Sequence, residues 1–312
     1  MSLALLFPGQ GAQQPGMLGA LPDTAGARAV VAESRSICGE LGLPDDLDRP
    51  DLLHDTVATQ VSLVIAGVGW AQALIADSRL TPRVVAGHSV GAYASAVAAG
   101  VLTLREALVA VHLRGESMRA ACSGGDWGMA ALTGLPTRAV QQLVERIVTP
   151  EEPLWIANLN SATQTVLGGT ATALNAAHDA ARLTGAAAFE RLDIAVASHG
   201  PVQGETASAL RTHLAALPLR TPTARYVTNT GGRVVGTAQA ILTDLADSVA
   251  HPVRWYDGVR LMAELGVTCS IETAPGHTLT RLVRAGAPDV TALSVSDDGV
   301  TAVAARAHRL TG

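Results

Sequence analysis

The sequence contains no lysine, and all 22 of its basic residues are arginine. That excludes Schiff-base chemistry, a lysine base and a Gly-Lys-Ser/Thr phosphate loop together. Cysteine is nearly absent as well: Cys38, Cys122 and Cys269 are odd in number and far apart. They suggest neither a disulfide framework nor a metal-ligand cluster, and they fit a reducing compartment. Aromatic residues make up 3% of the chain, so its core must be built from small and aliphatic side chains. There is no basic excess. The formal charge is −5, which gives no reason to expect nucleic acid or an anionic membrane as a partner. Long apolar runs are missing too. Val61 to Ala76 is interrupted by Ser62, Gly67, Gly69 and Gln72 and reads as a buried core helix, not a membrane span. The N-terminal run Leu3 to Phe7 is short, lacks a basic leader and meets Pro8-Gly9, so no signal peptide is expected and the location is expected to be cytoplasmic.

What is present is an ordinary globular composition, 48% hydrophobic and 16% charged over 312 residues, enough for one large domain with an insertion or two modest ones. The chain is organised around Arg83-Val84-Val85-Ala86-Gly87-His88-Ser89-Val90-Gly91-Ala92-Tyr93. A short β-branched strand, a Gly-x-Ser-x-Gly turn and a small-residue helix from Val90 to Ala99 make a nucleophile elbow, with Ser89 lifted into a pocket. The helix that follows points unpaired N–H groups at whatever Ser89 attacks. The bland alternative is a Gly-rich strand-to-helix turn. His88, one step before the serine, should point away from it and takes a supporting role at most.

Around this elbow the pattern is that of an α/β fold. Leu3 to Phe7 reads as a buried parallel strand running into the loop Pro8-Gly9-Gln10-Gly11-Ala12-Gln13. A dinucleotide fingerprint fails there because Gln14 stands where the third glycine belongs. The loop is then either a plain turn or a set of backbone N–H groups facing an anionic intermediate. Asp23 to Asp55 reads as short surface helices. Thr103-Leu104-Arg105-Glu106 is a capping box for a helix reaching about Met118. Arg114 lies one turn beyond Val111, close to the packed face, as either a surface residue or a buried cation awaiting an anion.

Cys122 to Asp126 marks a boundary. The next residues read strand (128–132), helix (137–148), strand (154–160), strand (164–168), helix (171–184) and strand (188–192), which is the order of a ferredoxin-like βαββαβ unit. The expected organisation is therefore a hydrolase-like parallel-sheet main domain formed by residues 1–125 and 193–312, with a ferredoxin-like subdomain at 126–192. Beyond it, Ala195 to Pro201 leads into a helix containing Glu205 and Leu210. Tyr226 to Asn229 is a strand, Leu242 to Ala250 a helix and Thr268 to Thr273 a strand, and Ala274-Pro275-Gly276-His277 opens a further helix.

A serine nucleophile needs a base. Among nine histidines, His199 is the best placed, in a Ser-His-Gly-Pro turn after an apolar run, where strand ends put functional groups on the rim of an α/β sheet. Spacing alone leaves the other histidines in contention.

Six motifs settle more than spacing can. Phe7 to Gln13, Gly87-His88-Ser89-Val90-Gly91, His112-Leu113-Arg114-Gly115, Asn158-Leu159-Asn160-Ser161, Ser198-His199 and Pro252-Val253-Arg254-Trp255 recur in this order in malonyl-CoA:acyl carrier protein transacylases. The chain resembles that family over almost its whole length. Within it, Val90 and Ala92, where fatty-acid-synthesis members usually carry Leu and Glu, make it most similar to the epsilon subunit of malonate decarboxylase.

The resemblance implies a Ser89 and His199 dyad, an oxyanion hole formed by the backbone N–H groups of Gln10 and Val90, and a two-pronged pairing of Arg114 with the free malonyl carboxylate. Asn158 and Asn160 would line the subdomain side of the cleft, although strand-end asparagines are ordinarily turn formers. Ser248 stands where relatives commonly have Gln near the histidine and joins the substrate-side residues, and a backbone carbonyl there could orient His199. His251, where relatives often have Asn, reads as a structural histidine. No metal or bound cofactor is implied. Malonyl-CoA is the substrate, an acyl carrier protein the partner, and other malonate decarboxylase subunits are further candidates. Arg281 and Arg284 are candidate carrier contacts. The alternatives are a transacylase of fatty acid or polyketide synthesis, a serine thioesterase or hydrolase, and a catalytically dead scaffold.

Overall fold

A computed structural model describes residues 2–194 and 196–311. Ala195, the first residue of the run expected to lead into the His199 turn, lies outside the described residues. The order of elements is β1 (Ser2–Phe7), α1 (Ala25–Glu40), α2 (Thr56–Gln72), β2 (Val84–Gly87), α3 (Gly91–Ala98) and α4 (Leu104–Cys122). Then follow β3 (Trp127–Thr133), α5 (Thr137–Ile147), β4 (Leu154–Leu159), β5 (Gln164–Thr170), α6 (Ala171–Leu183) and β6 (Ala188–Arg191). The chain closes with α7 (Gly204–Ala215), β7 (Arg225–Val227), β8 (Val234–Val235), α8 (Ala238–Asp247), α9 (Trp255–Glu264), β9 (Val267–Glu272), α10 (Thr278–Gly286), β10 (Thr291–Ser294), α11 (Val295–Asp298) and α12 (Val300–Thr311).

Six strands form one sheet in the order β10-β9-β1-β2-β7-β8, parallel except for β8 at the edge. Its central strand β1 is buried on both faces, as the unbroken apolar run predicts. Leu3, Leu5 and Phe7 face the core shared with α1, α2, α4, α7 and α8. Ala4 and Leu6 face the opposite core, built with α9 and α10. Parallel strands bring all their C-terminal ends to one rim, and that rim carries the loop at residues 8–13, the elbow after β2 and the turn after β7.

The second sheet is antiparallel, in the order β4-β5-β3-β6, with α5 and α6 packed on one face around Leu132, Leu143, Leu167 and Leu174. It is tied directly to the first unit: Val253 N–H donates to the Ala157 carbonyl at 2.9 Å, and Leu159 N–H to the Val253 carbonyl at 2.8 Å. The fold is thus mixed α/β, a largely parallel sheet with a small antiparallel one.

Three stretches differ from expectation. Residues 25–40 form one long helix, not several short ones, because Thr24 caps it by accepting from Ala27 N–H and the strong helix formers Ala25, Ala27, Ala29 and Ala32 sustain its first half. The Tyr226 strand stops at Val227, since Asn229 N–H turns away to the Asp244 carboxylate. The helix expected from Leu242 starts at Ala238 with Thr237 as its cap and ends at Asp247. Among the described residues one helix, α2 continued by a π-helical turn to Asp77, is long and apolar enough to cross a membrane, but 89% of its most apolar 18-residue stretch is buried inside the protein. The expected core-helix reading accounts for it.

Candidate active site

The elbow forms as its glycines dictate. A Cβ on Gly87 would stand 2.2 Å from Ala92 N, and one on Gly91 would stand 2.3 Å from the Phe7 carbonyl, so neither position can carry a side chain. Ser89 between them adopts φ 53°, the left-handed conformation that exposes its hydroxyl at the sheet rim. His88 N–H donates to the Phe7 carbonyl at 2.9 Å, which anchors the turn to β1.

Ser89 Oγ lies 2.8 Å from His199 Nε2. His199 comes from the loop before α7, is 2% exposed, and is held by its own N–H to the Val249 carbonyl at 2.7 Å. Its Nδ1–H donates to the Ser248 carbonyl at 2.5 Å. That bond fixes the tautomer and leaves Nε2 with a lone pair directed at the serine. Burial, and then the positive charge of Arg114, push the imidazole down to about 3. A neutral imidazole beside a serine hydroxyl can act as a general base without any carboxylate behind it.

Arg114, on α4, is the largest fully buried side chain and is 1% exposed. Its Nη2 donates to Ser89 Oγ at 3.2 Å, its Nη1 donates to Gln60 Oε1, and its Nε has no partner among the described residues. No carboxylate pairs with it there, although burial of an unpaired guanidinium is costly. The surface reading of Arg114 is therefore excluded, and the cation is held open beside the serine. Gln60 escaped the sequence reading. Its signal was an amide inside the otherwise buried, apolar α2, where it must be hydrogen-bonded: Nε2 donates to Thr56 Oγ1 at 2.9 Å, and Thr56 in turn donates to Gln10 Oε1 at 3.4 Å.

Neither Gln10 N–H nor Val90 N–H has a hydrogen-bond partner among the described residues, so both remain available to a ligand. A cavity of about 400 Å³ opens beside the loop at residues 8–13 and His88, walled on the second sheet's side by Asn158, Asn160 and Leu192 and on the other by Leu279 and Leu282 of α10. Asn160 Oδ1 accepts from His88 Nε2 at 3.0 Å, and burial holds His88 neutral, so His88 braces the elbow against the turn that follows β4. Asn158 lines the same cavity with a buried Oδ1 that has no partner among the described residues. The Ser248 side chain turns back to the Leu245 carbonyl, so it is the backbone of this residue that serves the site. His251 is exposed and bonds the Asp247 carbonyl. Arg281 is exposed on α10, while Arg284 donates to the Ala292 carbonyl at 3.1 Å.

Comparison with known proteins agrees with this geometry. The chain is 30% identical to the malonyl CoA-acyl carrier protein transacylase of Escherichia coli strain K12, over 96% of its own length and 98% of that protein's. Its fold matches the acyl-carrier-protein S-malonyltransferase of Burkholderia pseudomallei 1710b with a TM-score of 0.90 at 32% identity, covering 99% and 100% of the two chains. It also matches a malonyl-transacylase solved in complex with a type II polyketide synthase acyl carrier protein, with a TM-score of 0.89 at 29% identity over 98% and 100%. Residues 4–309 match the acyl transferase domain family, and the chain belongs to it.

Proposed function

We propose that this protein transfers malonyl from malonyl-CoA to the prosthetic-group thiol of an acyl carrier protein through a seryl intermediate. The observation that carries the reading is Arg114: a fully buried guanidinium with no anionic partner among the described residues, in contact with the nucleophile. Its planar fork suits the free carboxylate of a malonyl group, which acetyl lacks. Ser89 Oγ attacks the thioester carbonyl as His199 Nε2 takes its proton, and the N–H groups of Gln10 and Val90 receive the oxyanion. The intermediate collapses by breaking the C–S bond, and the proton passes from His199 to the departing CoA sulfur. A carrier thiol then gives its proton to His199 and attacks the malonyl-serine ester; the C–O bond to Ser89 breaks as His199 Nε2 returns that proton to Ser89 Oγ.

The setting we favour is a malonate decarboxylase system, on the strength of Val90 and Ala92 in the elbow. Both are fully buried, so they are features of the packing behind the serine. Faster transfer to a malonate decarboxylase carrier subunit than to a fatty-acid carrier protein is the expected outcome, and the reverse ranking would move the protein to fatty acid or polyketide synthesis.

The decisive experiment is intact-protein mass after brief exposure to malonyl-CoA and, separately, to acetyl-CoA, with Ser89→Ala as control and carrier added afterwards. A malonyl adduct that requires Ser89 and disappears on adding carrier establishes the transfer. An adduct that decays equally fast in water alone makes the protein a hydrolase.

A further inference from the structure

The β2–β7 ladder ends at Ala86 opposite Val227, one residue short of the elbow. Beyond it the side chain of Asn229 takes over. Asn229 Nδ2 donates to the Gly87 carbonyl at 2.9 Å, and Asn229 Oδ1 accepts from Ser89 N–H at 2.9 Å. A neighbouring parallel strand would bond the same two groups, one on each side of His88. The amide therefore stands in for a peptide unit and continues the sheet around a turn that no backbone could follow. Only an amide can do this, since one group must accept an N–H and the other must donate to a carbonyl.

We propose that Asn229 is a positioning residue for the nucleophile, its side-chain amide holding Ser89 in the left-handed conformation that presents Oγ to His199, and that Asp244 acts through it. The inference rests on the reading of Ser89 as the nucleophile.

Asn229 has no freedom to do otherwise. It is 3% exposed, its N–H donates to Asp244 Oδ2 at 2.9 Å, and its carbonyl accepts from Arg254 N–H at 2.8 Å. Asp244, 4% exposed on α8, has no cationic partner among the described residues and takes its hydrogen bonds from the turn and from Tyr226 of β7. It accepts from Asn229 N–H, from Thr230 N–H at 2.9 Å and from Thr230 Oγ1 at 2.7 Å, with Tyr226 OH at 3.4 Å. A buried carboxylate thus freezes the backbone from which the amide reaches the elbow. A residue with a Cβ stays in the left-handed region only when its surroundings over-determine it. Here β1 holds one side of the turn and Asn229 the other.

The test separates placement of the nucleophile from substrate binding. A small uncharged fluorophosphonate labels an active serine without needing Arg114 or a carrier, and malonyl-CoA affinity can be measured in a Ser89→Ala background, which keeps the residue 89 N–H. Asn229→Ala should slow fluorophosphonate labelling by about 100-fold, the scale of a misplaced reacting group. Malonyl-CoA affinity in Ser89→Ala/Asn229→Ala should stay within about threefold of Ser89→Ala alone. Asn229→Asp has the same shape and still accepts from Ser89 N–H, but sets an oxygen against the Gly87 carbonyl. It should lose at least about tenfold in labelling, and it carries the test if the alanine variant does not fold. Asp244→Asn should fall in the same direction. Labelling within twofold of the parent in a folded Asn229 variant overturns the proposal, as does an equal loss of labelling and affinity. A parent protein whose Ser89 does not label overturns the serine reading, and the positioning role falls with it.

Discussion

The indole of Trp155 fills the space beside Gly200: a Cβ on that glycine would stand 2.1 Å from Trp155 Nε1. The same Nε1–H donates to the Ser198 carbonyl at 3.0 Å. Trp155 belongs to β4 and the two residues it touches flank His199, so the antiparallel sheet fixes the loop that carries His199. His199 itself sits at φ 58°, a conformation that this clamp sustains. Gly200→Ala must push either the indole or the loop aside, and kcat/KM should fall by about 10²-fold or more. Trp155→Phe keeps an aromatic but smaller ring and removes the donor, and should cost about tenfold. Steady-state kinetics beside thermal melts check both, and a Gly200→Ala protein with parental kcat/KM would refute the clamp.

Arg114 should decide between malonyl and acetyl. Arg114→Ala removes the cation, and malonyl transfer should drop by about 10²-fold or more, in keeping with the 2–5 kcal/mol range for a buried charge pair that loses one partner. Activity with acetyl-CoA should rise relative to malonyl-CoA, because acetyl leaves the buried charge unpaired. Arg114→Lys should not restore malonyl transfer, since a point charge lacks the fork. Gln60→Leu strips the guanidinium of its Nη1 acceptor and should raise KM for malonyl-CoA by about tenfold, at about 1–3 kcal/mol for an orphaned buried group. An equal loss on both acyl groups in Arg114→Ala would remove the carboxylate clamp.

The substitution Ser248→Ala should be close to silent. His199 Nδ1 bonds the carbonyl of this residue, and the hydroxyl only returns to the Leu245 carbonyl at 3.3 Å. Acylation rates within about twofold of the parent are expected from rapid-quench measurement. A tenfold loss would mean that the side chain touches the reaction.

Much of this architecture is legible in sequence because it depends on local chemistry. The two elbow glycines, the apolar β1 run and the Thr103 capping box each carry a short-range steric or hydrogen-bond requirement that composition and spacing display. Ser89, His199 and Arg114 could be nominated from their motifs, and the structure brings their side chains together. Gln60, Asn229 and Trp155 could not, because each acts across the fold. Asn229 is 140 residues from Ser89, and Trp155 is 43 residues from Ser198. A strand-end asparagine and a tryptophan announce nothing until the sheet order places them, and the amide of Gln60 in an apolar helix signals a buried hydrogen bond without naming its partner. The single helix α1 differs from the short surface helices expected over Asp23 to Asp55 because most of the acidic residues and both prolines of that stretch lie outside it, and Thr24 caps one continuous helix whose apolar face packs on the core.

The low position of His199 has consequences for pH that separate it from an ordinary histidine. Burial first, and the Arg114 charge second, bring it from 6.5 to about 3, against a weaker opposing pull from the Ser248 carbonyl. The imidazole is therefore neutral through the mildly acidic range. With acetyl-CoA, which leaves Arg114 unpaired, kcat/KM should show no acid limb near 6.5 and should fall only at much lower pH. Malonyl carboxylate offsets the Arg114 field, so with malonyl-CoA the acid limb of kcat should lie above that of kcat/KM. Arg114→Met should also raise the limb, but burial should keep it below 6.5. Stability follows the same shift. Between about 3 and 6.5 the unfolded chain binds the proton that folded His199 refuses, so this residue's contribution makes stability rise with pH across that window and fall as the solution is acidified through it. Buried Asp244 and Glu272 act in the opposite sense: burial raises both carboxyls, so just above their ordinary range the folded state holds more protons, and their contribution weakens as pH rises. The difference in Tm between the parent and His199→Gln isolates the histidine, because both proteins share the carboxylates. That difference should shift progressively against the parent as pH falls from 6.5, and a difference independent of pH would show that His199 titrates normally in the folded protein.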